Sequence, residues 1–108
     1  MKIKRFSKEK AQSGHNGTIL TDEVIPEGMK PPFDSAWGYL ENNSKMEVHS
    51  HPVEEIYIVI KGEGKVMVAD EVEDVTVGDV VEIPPDKEHT MICENKGPFL
   101  WVAFWWEV

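Results

Sequence analysis

No apolar period of 3.6 residues persists beyond one turn anywhere in this 108-residue chain, and eight glycines and seven prolines punctuate it. Such a chain is confined to β structure. Residues 8–11 are compatible with a short helical turn and nothing longer. Gly17, Pro26, Gly28, Pro31 and Pro32 make residues 17–34 loops and short extended pieces. From residue 35 the pattern is strand and turn: strands are predicted over 35–41, 46–49, 55–61, 65–69, 72–77, 79–83, 89–93 and 99–107. Asn42–Asn43–Ser44 reads as a turn, Gly62–Glu63–Gly64 as a hairpin turn, and Pro84–Lys87 as a tight loop. Many short, regularly spaced strands indicate an all-β sandwich or barrel, and the length argues for one domain, residues 1–108.

Two of these strands are apolar on both faces. In 55–61 the odd positions are Glu55, Tyr57 and Val59, and the even ones Ile56, Ile58 and Ile60. In 99–106 both parities are large: Phe99, Trp101 and Trp105 on one side, Leu100, Phe104 and Trp106 on the other. An antiparallel sheet with one wet face alternates. The outer faces of these strands therefore need a cover, and a homodimer packed partly through the C-terminal aromatic strand is expected. The competing cover is the N-terminal segment of the same chain.

Charge narrows the partners. Net charge is -9, and five of the 11 basic residues lie in the first ten positions (Lys2, Lys4, Arg5, Lys8, Lys10). The acidic remainder repels nucleic acid and anionic membranes and favours a divalent cation. Ile3 and Phe6 interrupt the basic start, which reads as a solvated first segment. The longest apolar run, Phe99–Trp106, is far short of the roughly 20 residues that span a bilayer. The first 15 residues hold no apolar stretch resembling a secretory signal, and Cys93 is the only cysteine. Together these features make a cytoplasmic location the expectation.

The chemistry lies in His49-x-His51-x3-Glu55-x6-Gly62. On an extended strand two histidines one residue apart share a face, with backbones about 6.5–7 Å apart. That spacing lets both imidazoles converge on one ion at about 2.0–2.1 Å. Glu55 keeps the same parity, and His89 lies in a second patterned segment. Tyr57, two positions beyond Glu55, shares its parity and faces the same interior, where its hydroxyl is a candidate proton donor alongside Glu55 as a candidate base. Glu54 faces out. His15 reads as a loop residue. Cys93 falls about 13 Å along the strand from His89, too far to join it, and reads as a buried thiol. The four tryptophans read as core or interface anchors, with one or two walling a pocket.

These residues resemble the cupin superfamily. His49-x-His51-x3-Glu55-x6-Gly62 is similar to its first motif, and Gly78-x5-Pro84 followed by His89 to its second. Together they cover about residues 43–95. Asn43 stands where the family usually has glycine, Asp86 replaces the glycine of proline-x-glycine, and Cys93 replaces a common asparagine. The resemblance implies a jelly-roll β-barrel (a double-stranded β-helix) in which His49, His51, Glu55 and His89 hold one divalent transition metal: Fe, Mn, Co, Ni, Cu or Zn. It implies a small-molecule ligand or substrate and leaves three activities open. These are a metal-dependent, dioxygenase-like oxidation, non-catalytic ligand binding or sensing, and sugar or sugar-phosphate isomerisation or epimerisation. The last needs a cationic phosphate site, and only Lys61, Lys65 and Lys87 lie near the motifs.

Overall fold

The computed structural model describes residues 1–108, folded entirely into strands and turns. In chain order the strands are β1 (Gln12–Gly14), β2 (Ile19–Asp22), β3 (Asp34–Leu40), β4 (Ser44–Lys45), β5 (Glu54–Lys61), β6 (Glu63–Val68), β7 (Glu71–Thr76), β8 (Val80–Ile83), β9 (His89–Cys93) and β10 (Phe99–Trp106). One sheet has six strands in the order β1-β2-β3-β10-β5-β8, and the other four in the order β4-β9-β6-β7. All pairings are antiparallel. From β3 to β10 the chain changes sheet at every connection except β6–β7. That winding makes the fold a jelly roll.

The sheet-to-sheet corners carry the residues that tolerate a left-handed backbone. Asn42 and Asn43 (φ 58° and 52°) turn β3 into β4, Gly62 (φ 81°) turns β5 into β6, Gly78 (φ 93°) precedes β8 and Asp86 (φ 65°) precedes β9. Asparagine, aspartate and glycine enter this region at least cost. Asn43 and Asp86 thus adopt the conformation for which the expected glycines would be chosen. At Gly62 space is also decisive, because a Cβ would sit 2.0 Å from the Pro98 carbonyl oxygen.

The structure corrects two expectations and adds a hairpin. Gly62–Gly64 is not a hairpin turn: β5 and β6 belong to different sheets, and Gly62 is the corner between them. The hairpin of this region joins β6 to β7 through Ala69–Asp70, with Ala69 left-handed (φ 55°). Residues 46–49 are not a regular strand; β4 ends at Lys45, the Met46 amide still donates to the Met91 carbonyl of β9 (3.0 Å), and the next bridge to β9 is the isolated one at His49. The early segment contains a hairpin, β1–β2, that extends the larger sheet. Residues 7–11 form the expected turn, with the Lys10 and Ala11 amides bonded to the Ser7 carbonyl.

The inner faces of the sheets meet in a core that includes Leu40, Met46, Val59, Ile83, Met91, Cys93, Phe99 and Trp101, all nearly inaccessible. Cys93 is fully buried, as expected of a structural thiol. Gly38 lies opposite Trp101 across β3–β10. Cross-strand partners share a face, and the missing side chain at Gly38 admits the Trp101 indole, which would approach a Cβ there to 2.2 Å.

The outer face of the larger sheet is partly covered from within the chain. Phe6 stacks on Tyr39 (ring centroids 5.6 Å apart) and packs against Trp37 (5.9 Å), while Phe33 meets Phe104 edge-on (5.5 Å). Lys8 pairs with Glu41, which also accepts a hydrogen bond from the Tyr39 hydroxyl. The N-terminal segment thus supplies a share of the cover. Ile60 and Val80 at the other end of this face remain exposed.

Candidate metal centre

Four residues from separate stretches of sequence meet at one end of the space between the sheets. His49 and His89 face each other across an isolated antiparallel bridge: the His49 amide donates to the His89 carbonyl (3.2 Å) and the His89 amide to the His49 carbonyl (2.9 Å). This pairing sets both imidazoles on one face, with ring centroids 4.2 Å apart. His51, two residues on, brings its ring to 5.7 Å from that of His49 and 4.8 Å from that of His89. Its carbonyl accepts the Asp86 amide (2.8 Å), which ties the β8–β9 loop to the first motif. Glu55, the second residue of β5, is buried, and its Oε1 lies 2.9 Å from His51 Nε2 and 3.4 Å from His89 Nε2.

The orientation of the three rings is set by the backbone. His49 Nδ1 lies 2.9 Å from the Glu47 carbonyl oxygen, His89 Nδ1 2.8 Å from that of Lys87, and His51 Nδ1 3.3 Å from that of Val53. A carbonyl only accepts, so each Nδ1 donates its proton; the Nε2 atoms of His49 and His89 keep free lone pairs, and that of His51 is engaged with Glu55 Oε1 (2.9 Å). One donor atom from each histidine lies within 4.8 Å of the other two. Donors to a shared ion at about 2.0–2.1 Å stand about 3–4 Å apart, so small ring rotations would close the set.

His89 Nε2 tests the fit of a metal. His89 is fully buried, and this nitrogen has no hydrogen-bond partner; the Glu55 oxygen at 3.4 Å does not make the bond. A buried polar atom without a partner is costly and calls for an explanation. A cation shared by the three imidazoles satisfies it, with Glu55 beside His51 and His89. Burial also holds the His49 pKa below the ordinary histidine value, which keeps this imidazole in the neutral form that binds metals.

A cavity of about 370 Å³ opens beside these residues. Its lining includes His49, His51, Glu55 and Tyr57 at the polar end, and Ile19, Ala36, Trp101, Ala103 and Trp105 along the wall. Tyr57 faces inward as expected, its ring 5.9 Å from that of His89. Burial first, then the Glu55 carboxylate, pushes its phenol well above the ordinary tyrosine value, so it is a protonated donor at neutral pH. Glu54 points outward as expected and accepts the Trp106 indole N–H (2.8 Å).

One site residue was missed in the sequence. His15, at the tip of the β1–β2 hairpin, lies against His49 with ring centroids 4.1 Å apart and planes tilted by 38°, and lines the cavity. Thr18 holds it there. The Thr18 hydroxyl donates to the His15 carbonyl (2.7 Å) and accepts the Glu47 amide (2.9 Å). Glu47 is the residue whose carbonyl orients His49. The only signal in the sequence was a left-handed Asn-Gly turn beside a histidine, which carries no information about a partner 34 residues away.

Comparison with known proteins agrees with this architecture. The chain resembles a cupin 2 conserved barrel domain protein from Salinispora arenicola, with 22% identity and a TM-score of 0.87 over 100% of this chain and 90% of that one. It resembles the plu4264 protein from Photorhabdus luminescens, with 32% identity and a TM-score of 0.86 over 97% and 87% of the two chains. A predicted oxalate decarboxylase from Thermotoga maritima shares the fold, with 19% identity and a TM-score of 0.74 over 83% and 81%. Comparison with curated proteins finds no match. The model of the cupin domain matches residues 37–105, which include every strand from β4 to β9 and His49, His51, Glu55 and His89, and the chain belongs to the cupin family.

Proposed function

We propose that this cupin binds one divalent transition metal through His49, His51, His89 and Glu55, and that it oxidises a small organic molecule in a dioxygenase-like reaction. The observation that carries the metal reading is the buried, unpartnered His89 Nε2 among three imidazoles whose Nδ1 protons are all committed to backbone carbonyls. Three imidazoles and a carboxylate suit Fe, Mn, Co, Ni, Cu or Zn. When bound, such an ion supplies Lewis acidity and a template for the substrate.

The chain's own residues do the rest. Glu55 stands beside the converging nitrogens and can take a proton from an acidic hydroxyl of the substrate. The Tyr57 phenol, held protonated, donates a hydrogen bond to the bound molecule. The wall of Trp101, Ala103 and Trp105 keeps water off the reacting end. Where the product is the substrate plus O₂, with a carbon–carbon bond cleaved and both oxygen atoms retained, the substrate supplies all four electrons and no external reductant is required.

Two other readings are separable. A non-catalytic binding protein would release its ligand chemically unchanged. A sugar-phosphate isomerase needs a cation for its phosphate, and neither lysine nor arginine lines the cavity. We also assign the exposed end of the six-stranded sheet, at Ile60 and Val80, to contact with a second copy of the chain. The central test is elemental analysis of untagged protein with oxygen-electrode assays over an organic substrate panel. Wild type is expected to hold about one metal ion per chain and His51→Ala to lose at least nine-tenths of it. Equal metal content in the two proteins overturns the ligand assignment. Oxygen uptake that no substrate accelerates in the Fe(II)- or Mn(II)-loaded protein overturns the oxidative reading.

A further inference from the structure

The cavity has two unlike ends. Every ionisable group that lines it (His15, His49, His51, Glu55 and Tyr57) gathers around the histidine cluster, and no lysine or arginine reaches the remainder. A charged group placed away from that cluster would lose its hydration with nothing to replace it. Only the end of a ligand that meets the cluster can therefore be ionic.

The apolar side of the cavity is formed by the inward face of β10. Residues 101, 103 and 105 read Trp-Ala-Trp, so a methyl group separates two indoles whose backbones stand about 13 Å apart. Ala103 is paired with Ala36 of β3 on one side and with Tyr57 of β5 on the other. Trp105 is paired with Glu55. The two alanines leave a low stretch of the lining flanked by Trp101 and Trp105, and it runs up to Tyr57 and Glu55 across the strands. A dry apolar cavity of about 150 Å³ takes a benzene ring. At about 370 Å³ this one has room for a fused ring pair and a head group. Aromatic walls favour flat π-systems, in stacked or edge-on contact.

We infer that the ligand is a flat, unsaturated organic molecule with a single oxygen-donor head and an uncharged body, the head at the histidine cluster and the body over Ala36 and Ala103 between Trp101 and Trp105. The position of the head rests on the metal reading; the position of the body does not. The test uses calorimetric titration of the zinc-loaded protein with 2,3-dihydroxynaphthalene, succinate and glucose 6-phosphate. The naphthalenediol is expected to bind at least tenfold more tightly than either anion. Ala103→Leu, which projects a larger side chain into that low stretch, is expected to weaken it at least tenfold with zinc content unchanged. Should Ala103→Leu fail to fold, Trp105→Ala, at a partly exposed position, is expected to weaken it similarly. Either anion binding within tenfold of the naphthalenediol, or a folded variant binding it as wild type does, overturns the inference. If wild type retains no zinc, the metal reading fails by itself. Binding to zinc-free protein that Ala103→Leu still blocks then upholds the ligand class, and binding indifferent to that substitution overturns it.

Discussion

Glycine 38 shows how one absent side chain shapes the site. Its hydrogen leaves the space in which the Trp101 indole lies across β3, and that indole is both core and cavity wall. In Gly38→Ala the new methyl would stand 2.2 Å from the ring, with three ring atoms closer than 3 Å. Trp101 is buried and cannot swing into solvent. The expected cost is about 1–3 kcal/mol, read as a lower urea midpoint with unchanged slope, together with an altered near-ultraviolet tryptophan signal. A midpoint equal to wild type would show that β3 and β10 can separate, contrary to their continuous seven-residue register.

At the scale of elements, the β1–β2 hairpin is the piece that joins a loop histidine to the cluster. It packs at the edge of the larger sheet, and its tip is tied to the rest by the Thr18 hydroxyl, bonded to both His15 and Glu47. Thr18→Val removes both bonds at nearly constant volume. The Glu47 amide then loses its only acceptor in a partly buried position, at a cost of about 1–2 kcal/mol. That predicts roughly tenfold faster hydrogen exchange at the Glu47 amide, and faster exchange across β1 and β2, with β5 and β10 unaffected. Unchanged protection at Glu47 would mean that the hairpin is held by its strand pairing alone.

At the scale of the molecule, the apolar outer face of the six-stranded sheet is shared between two covers. Phe6 and Phe33 close one side of it from within the chain. Ile60 and Val80, 42% and 61% exposed, leave the other side open. The proposed self-association through that side predicts a dimer in sedimentation equilibrium that becomes a monomer in the double variant Ile60→Asp, Val80→Asp. Metal content should be unchanged in that variant, because both side chains lie on the face opposite the cavity. A wild-type monomer at tens of micromolar protein would remove the homodimer from the description.

Much was legible in the sequence because it is local. Parity with the two histidines assigned Glu55 and Tyr57 to the interior, and both are buried. The His-x-His spacing and the distant His89 named a cluster that the fold assembles. Asn43 and Asp86 read correctly as residues able to take a left-handed turn. Partnership between segments was not legible, because nothing local in Gly62 distinguishes a hairpin from a corner between sheets; only the pairing of β6 with β7 and β9 decides it. The place of His15 over His49, the slot between Trp101 and Trp105, and the lone pair stranded on His89 are likewise products of register and sheet stacking. Periodicity and spacing determine which side chains share a strand face, since both follow from backbone geometry within one segment. Which faces come together, and what space remains between them, is set by contacts among strands far apart in the chain, and the tertiary structure alone decides it.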